Sequence, residues 1–209
     1  MAPLPTERPY RYLALGDSYT IGASVAVSER WPVQLVAALR EQGISVADPE
    51  IIATTGWTTA DLAEGIVEAE PQGPYELVSL LIGVNNQYRG QSQDVYREQF
   101  VALLETAVSF ANDNPNHVFV VSIPDWGAMP FAQNRNRDEI AAHIDAFNAI
   151  NRQETERRGI AYIDITEISR RTRTDSTLVA DDTLHPSGEQ YSLWVELILP
   201  KAERLLLQN

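Results

Sequence analysis

The chain has 209 residues, 44% of them hydrophobic and 22% charged, with a formal net charge of −13. That is enough chain to bury one sizeable core, and the acidic field opposes nucleic acid and anionic membrane surfaces as partners while suiting neutral or cationic small molecules. The absence of cysteine excludes disulfides, thiol nucleophiles and thiolate metal sites, and no apolar run approaches the roughly 20 residues that span a bilayer.

The opening "MAPLPTERPYR" lacks the apolar stretch of a secretory signal, so the expectation is a soluble, cytoplasmic protein. A first short apolar run, "RYLAL" from Arg11, reads as a strand and leads into Gly16-Asp17-Ser18, with Ser18 at the start of a helix. A helical segment over 31–42 follows, then a second strand, "EIIAT" from Glu50, and a helix over 58–68. The third strand, "LVSLLI" from Leu77, precedes a long helical segment over 91–112, in which Phe100, Leu103, Leu104, Ala107 and Val108 recur at helical spacing. The fourth, "HVFVVSI" from His117, is followed by a helix over 137–158, and the fifth, "AYIDI" from Ala161, by a last helix after Pro186 running to the C-terminus. Gly43 and Gly159 fall where helices should stop. Near-continuously apolar strands alternating with helices predict a five-stranded parallel sheet covered on both faces, an α/β/α sandwich of flavodoxin-like type. The chain shows no repeat, low-complexity tract or linker, so residues 1–209 read as a single domain.

Ligands of such sheets bind at the carboxyl ends of the strands. The residues there are Gly16-Asp17-Ser18, then Thr54-Thr55-Gly56-Trp57, then Gly83-Val84-Asn85-Asn86, then Pro124-Asp125-Trp126. Ser18 is a candidate nucleophile that would need a base, and the chain has three histidines. His117 precedes the fourth strand, at the wrong end of the sheet, and His143 lies within a helical segment as an exposed or packing residue. His185 sits in "DDTLHPSG" with Asp182 three residues before it, a spacing at which a carboxylate can accept from Nδ1–H and leave the other ring nitrogen to take a proton from serine. The same loop also suits a helix cap, with Pro186 near the first position and Ser187 contributing; capping and catalysis are compatible. Scattered histidines argue against a metal hydrolase, and the lack of a glycine-rich phosphate cradle argues against a non-catalytic, phosphate-holding flavodoxin-like protein.

Four blocks in order, "GDS" with Ser18, "TTGWTT" with Gly56, "GVNN" with Asn85 and "DTLHPS" with Asp182 and His185, resemble the GDSL or SGNH serine hydrolases over almost the whole chain. The resemblance implies a serine esterase acting through a Ser18-His185-Asp182 triad and an acyl-enzyme, with the oxyanion held by Ser18 N–H, Gly56 N–H and the Asn85 amide. It implies no cofactor and no metal, and a small-molecule ester as substrate. The family's Asp-x-x-His spacing selects Asp182 rather than Asp181. One departure is Asn86, where the family usually carries Asp. Asp17 is read as a helix cap or loop support. The aromatic residues near the strand ends, Tyr19, Trp57, Tyr88 and Trp126, are taken as the substrate-binding set, with Phe131 and Met129 close by. Arg89 reads either as a partner for a substrate carboxylate or phosphate, or as a solvated surface residue. Simple carboxyl esters, acetylated sugars, lysophospholipids and thioesters all remain open as substrates.

Overall fold

The computed structural model describes residues 8–207. The first seven residues of the segment read above for a signal and the last two residues of the C-terminal helical segment lie outside this range. Five strands form one parallel sheet in the order β2-β1-β3-β4-β5: β1 (Tyr12–Gly16), β2 (Glu50–Ala53), β3 (Leu77–Leu81), β4 (Val118–Val121) and β5 (Ala161–Ile163). The three inner strands are buried along their whole length, as their unbroken apolar runs require, whereas β2 and β5 at the edges admit partly exposed residues.

Eight α-helices connect the strands among the described residues: α1 (Ser18–Ile21), α2 (Trp31–Glu41), α3 (Thr59–Ala69), α4 (Val84–Tyr88), α5 (Gln93–Phe110), α6 (Arg137–Arg157), α7 (Thr166–Arg170) and α8 (Gly188–Leu207). The five long ones begin and end within two residues of the periodic segments. α1 begins at Ser18, where a helix start was expected, whereas α4 and α7 were not separable in the sequence, because helices of five residues are too short to show a period. Side-chain caps set the starts of three of the long helices: Thr58 and Asp61 form a capping box on α3, Ser92 caps α5 and Asn136 caps α6.

Helices α2 and α8 pack together on one face of the sheet, and α3, α5 and α6 on the other. On the first face Trp31 of α2 meets Phe119 of β4 edge-on, with ring centroids 6.3 Å apart. On the second, Tyr96 of α5 meets Phe147 of α6 at 4.5 Å. Both Trp31 and Tyr96 are fully buried, and burying an aromatic side chain of this size contributes on the order of 2–3 kcal/mol.

Tyr96 also ties the core to the site. Its hydroxyl donates to Asn151 Oδ1 at 2.6 Å and lies under the loop that opens α4. There Gly83 has φ +129°, and a Cβ at this position would stand 2.2 Å from the Tyr96 hydroxyl. Glycine is therefore required twice over, by backbone conformation and by the close approach. Gly83→Ala is expected to cost about 2–4 kcal/mol, the sum of backbone strain and overpacking; denaturant unfolding of the two proteins measures it.

Candidate active site

Gly16 of β1 is in register with Ala53 of β2 on one side and with Leu81 of β3 on the other. The loops that follow these residues therefore leave the sheet side by side, at the point where the strand order reverses, and they carry Ser18, Gly56 and Asn85. The loop before α8 brings His185 to the same place. Ser18, Tyr19, Thr55, Gly56, Val84, Asn85, Tyr88, Trp126, Phe131, Leu184 and His185 line one cavity of about 210 Å³. The cavity unites Ser18, Gly56, Asn85 and His185 with three of the four aromatic residues expected to meet substrate.

Ser18 is nearly buried and is the first residue of α1, so its amide hydrogen has no partner within the helix. Gly56 has φ +88°, a left-handed conformation that glycine adopts without strain, and the turn around it closes through Trp57 N donating to Thr54 O at 3.2 Å, which leaves the Gly56 amide outside that bond. The Asn85 amide donates one hydrogen to the Trp57 carbonyl at 2.9 Å and has a second to give. Asn86 points elsewhere. It is buried, accepts from Thr59 N at 3.1 Å and donates to Thr59 Oγ1 at 2.6 Å and to Gln91 Oε1, so it fastens α4 to the start of α3.

The His185 loop is a compact turn. Asp182 Oδ1 accepts from the amides of Leu184 and His185, both at 2.9 Å, while Oδ2 faces His185 Nδ1 at 2.5 Å and accepts from Ser24 Oγ at 2.6 Å. Burial by itself raises a carboxyl's pKa, but here the bonds from Ser24, from the His185 ring and from the two amides outweigh it and hold Asp182 well below the usual carboxylate range. Because an ionised carboxylate only accepts, the shared proton belongs to His185 Nδ1, so in the neutral ring the lone pair lies on Nε2. No hydrogen bond joins His185 to the Ser18 hydroxyl among the described residues; such bonds commonly tighten only around substrate. His117 lies at the start of β4, away from the site, and His143 is exposed on α6.

The aromatic residues divide by role. Tyr88, Trp126 and Phe131 form a chain of edge-to-face rings along the cavity wall, with Trp126 Nε1 donating to Gln87 Oε1 at 2.7 Å. Tyr19 lines the cavity but is 2% exposed, and it braces the back of the site edge-on against His185 at 5.6 Å. Trp57 corrects the expectation: it is absent from the cavity wall, and its ring lies over α3 so closely that a Cβ on Gly65 would come within 2.1 Å of it. The glycine in α3 made room for the tryptophan, which anchors the Gly56 loop rather than a ligand.

The sequence did not reveal three further supports. Arg89 donates to the Gly56 carbonyl at 2.6 Å and faces Asp61 at 3.6 Å, pinning the loop that bears the Gly56 amide. The buried Asp125 accepts from Gly127 N at 2.9 Å and from Arg170 Nε at 3.0 Å, fixing the turn that carries Trp126. Ser24 reaches Asp182 across 158 residues of chain. Among the described residues no group of three or more His, Asp or Glu is placed to hold a metal ion, and no helix is long and apolar enough to cross a membrane.

A family model described as GDSL-like Lipase/Acylhydrolase matches residues 14–193. Solved structures with the same fold include TesA, with TM-score 0.72 and 16% identity over 94% of this chain and 99% of that one. A second is the psychrotrophic esterase EstA from Pseudoalteromonas sp., inhibited by monoethylphosphonate, with TM-score 0.68 and 16% identity over 96% of this chain and 100% of that one. A third is a catalytic mutant of Axe2, an acetylxylan esterase from Geobacillus stearothermophilus, with TM-score 0.67 and 16% identity over 95% and 96% of the two chains. Among curated proteins, none matches by sequence.

Asp17 supplies a test of the electrostatics beneath Ser18. Its Oδ1 accepts from Tyr19 N at 3.0 Å and caps α1, while its Oδ2 is buried without a partner among the described residues. Burial lifts its pKa to about 7 against the pull of the Tyr19 amide. The folded protein then holds this proton where the unfolded chain, with an ordinary Asp near 3.9, has released it. The stability associated with Asp17 is full below about pH 4 and is lost as pH rises toward 7. Asp17→Asn should flatten this slope, gaining on the order of 2 kcal/mol relative to the parent between pH 5 and 8; urea unfolding across that range reads it.

Proposed function

The chain belongs to the GDSL-like lipase/acylhydrolase family of ester-hydrolysing serine hydrolases, and from that premise we propose that Ser18, His185 and Asp182 are its catalytic triad and that its substrates are esters of short acyl groups. The observation that carries this reading is the opening of Ser18 and of the Asp182-bound His185 onto a single cavity.

In the first half-reaction Ser18 Oγ attacks the acyl carbonyl carbon while its proton passes to His185 Nε2. The oxyanion that forms is met by hydrogens of Ser18 N, Gly56 N and Asn85 Nδ2, and the imidazolium is stabilised through Nδ1–H by the ionised Asp182. The carbon–oxygen bond to the alcohol then breaks, and His185 returns the proton to the departing oxygen. Water attacks the Ser18 ester in the second half, again losing its proton to His185, and the acid leaves as Ser18 regains its hydrogen. No cofactor enters this sequence. Two of the three donors are set in advance by other parts of the chain, Gly56 through Arg89 and Asn85 through the Trp57 carbonyl, so little reorganisation accompanies charge development.

The size and lining of the cavity support the choice of acyl group. About 210 Å³ walled by Val84, Tyr88, Trp126, Phe131 and Leu184 is smaller than the roughly 300–1,000 Å³ of pockets for drug-sized ligands. A second reading concerns the alcohol. Beyond Tyr88 and Trp126 lies a polar hollow of about 410 Å³ that includes Arg135, Asn136, Glu139 and His143, which favours a hydroxylated leaving group such as a sugar, the class named for Axe2.

Ser18→Ala and His185→Ala should each lower kcat on p-nitrophenyl acetate by at least about 10³-fold. The double variant should lose little more, since triad members act as a unit; losses that multiply would contradict a shared mechanism. Across p-nitrophenyl esters from acetate to decanoate, kcat/KM is expected to fall by about tenfold or more once the acyl chain outgrows the cavity. Acetylated xylo-oligosaccharides in the same panel test the polar hollow, and a decanoate preference would overturn the short-acyl assignment.

A further inference from the structure

Two residues that are not glycine adopt left-handed backbone on either side of one carboxylate. Thr183, next to Asp182, has φ +66°, and Ser24, in the turn that follows α1, also has φ +66°. Such conformations are costly for residues bearing a Cβ and persist where the surroundings require them. At Ser24 the outcome of the strained turn is visible: Oγ donates to Asp182 Oδ2 at 2.6 Å, the same oxygen that faces His185 Nδ1 at 2.5 Å. The Asp182 side chain is 31% exposed, so water competes for that oxygen. The turn itself is attached to the start of α1, since Ala23 N donates to Ser18 O at 2.9 Å. Ser24 thus links the short segment that begins with Ser18 to the loop that carries His185.

We propose that Ser24 is a positioning residue for ester hydrolysis, its hydroxyl fixing Asp182 Oδ2 against His185 and tying the His185 loop to the helix of Ser18. The proposal rests on the triad reading above. The carboxylate has a defined partner on every side: two amides on Oδ1, and the ring nitrogen and the hydroxyl on Oδ2. Removing the hydroxyl leaves Oδ2 to mobile water and lets the carboxylate turn away from the axis of the imidazole, which costs most when the imidazolium forms, in the transition state rather than in the ground state.

Three substitutions at Ser24 separate the hydroxyl from the turn. Ser24→Ala removes the hydroxyl and keeps the strained backbone; Ser24→Gly removes it and relieves the strain; Ser24→Thr keeps it but puts a β-branched residue where φ is positive. Measured on p-nitrophenyl acetate and normalised to folded protein by circular dichroism, the Ala and Gly variants are expected to lose about tenfold in kcat, the value of a hydrogen bond to a charged group, with KM within twofold. The Thr variant should keep kcat within about threefold although its Tm falls, while the Gly variant keeps or raises Tm. Activity and stability then rank the variants in opposite orders. Full kcat in Ser24→Gly would overturn the proposal, as would a Ser24→Thr variant no more active than Ser24→Ala. Asp182→Asn, measured alongside, tells the two failures apart: if it loses kcat while the Ser24 variants do not, only the role of Ser24 falls, and if it too keeps kcat, the triad reading falls with it.

Discussion

The candidate site depends on the register of three parallel strands. Gly16, Ala53 and Leu81 lie abreast, so the chain leaves the sheet three times at one level, and each exit carries one group aimed at the same cavity. Nothing in the loops alone could bring Ser18, Gly56 and Asn85 together. Their spacing follows from backbone hydrogen bonds in a sheet whose inner strands are wholly buried, and a slip of one residue in β1 or β3 would turn every side chain of that strand to the opposite face. The candidate site is therefore tied to the stability of the core, and the burial that holds the strands also holds Ser18, Gly56 and Asn85 in place.

A second layer of organisation is polar and converts the register into chemistry. Two aspartates illustrate it. Asp17 and Asp182 adjoin Ser18 and His185, yet their surroundings drive them in opposite directions: Asp17, buried with one amide for a partner, is raised to about 7, whereas Asp182, given four hydrogen bonds, is held ionised. Only the second is suited to stabilise an imidazolium. The proposed oxyanion side is organised in a similar way by α4, where Asn85, Asn86 and the following Arg89 each hold a different part of the loop that runs from Gly56 into α3. This short helix serves as a bracket for a neighbouring strand's loop as well as a source of one proposed donor.

How much of this was legible in the sequence follows from the range of each interaction. The strands and long helices were readable because burial imposes its period on adjacent residues. The pairing of Asp182 with His185 was readable because it spans a single turn of chain. What escaped depends on contacts between distant segments: Arg89 meets the Gly56 carbonyl across 33 residues, and Ser24 meets Asp182 across 158. An exposed arginine and a serine in a turn carry no local mark of such roles. Trp57 misled for the opposite reason. An aromatic residue beside a strand end resembles a ligand contact, and only the distant Gly65, which leaves room for the ring on α3, reveals it as an anchor.

The most direct test of the account is where an acyl-like electrophile attaches. Incubation with a fluorophosphonate, followed by intact-mass analysis and peptide mapping, should add one phosphonyl group per chain, at Ser18, with none in Ser18→Ala and a rate reduced by orders of magnitude in His185→Ala. A label on any other residue, or an active, folded protein that takes up no label, would contradict the claim that Ser18 is the nucleophile.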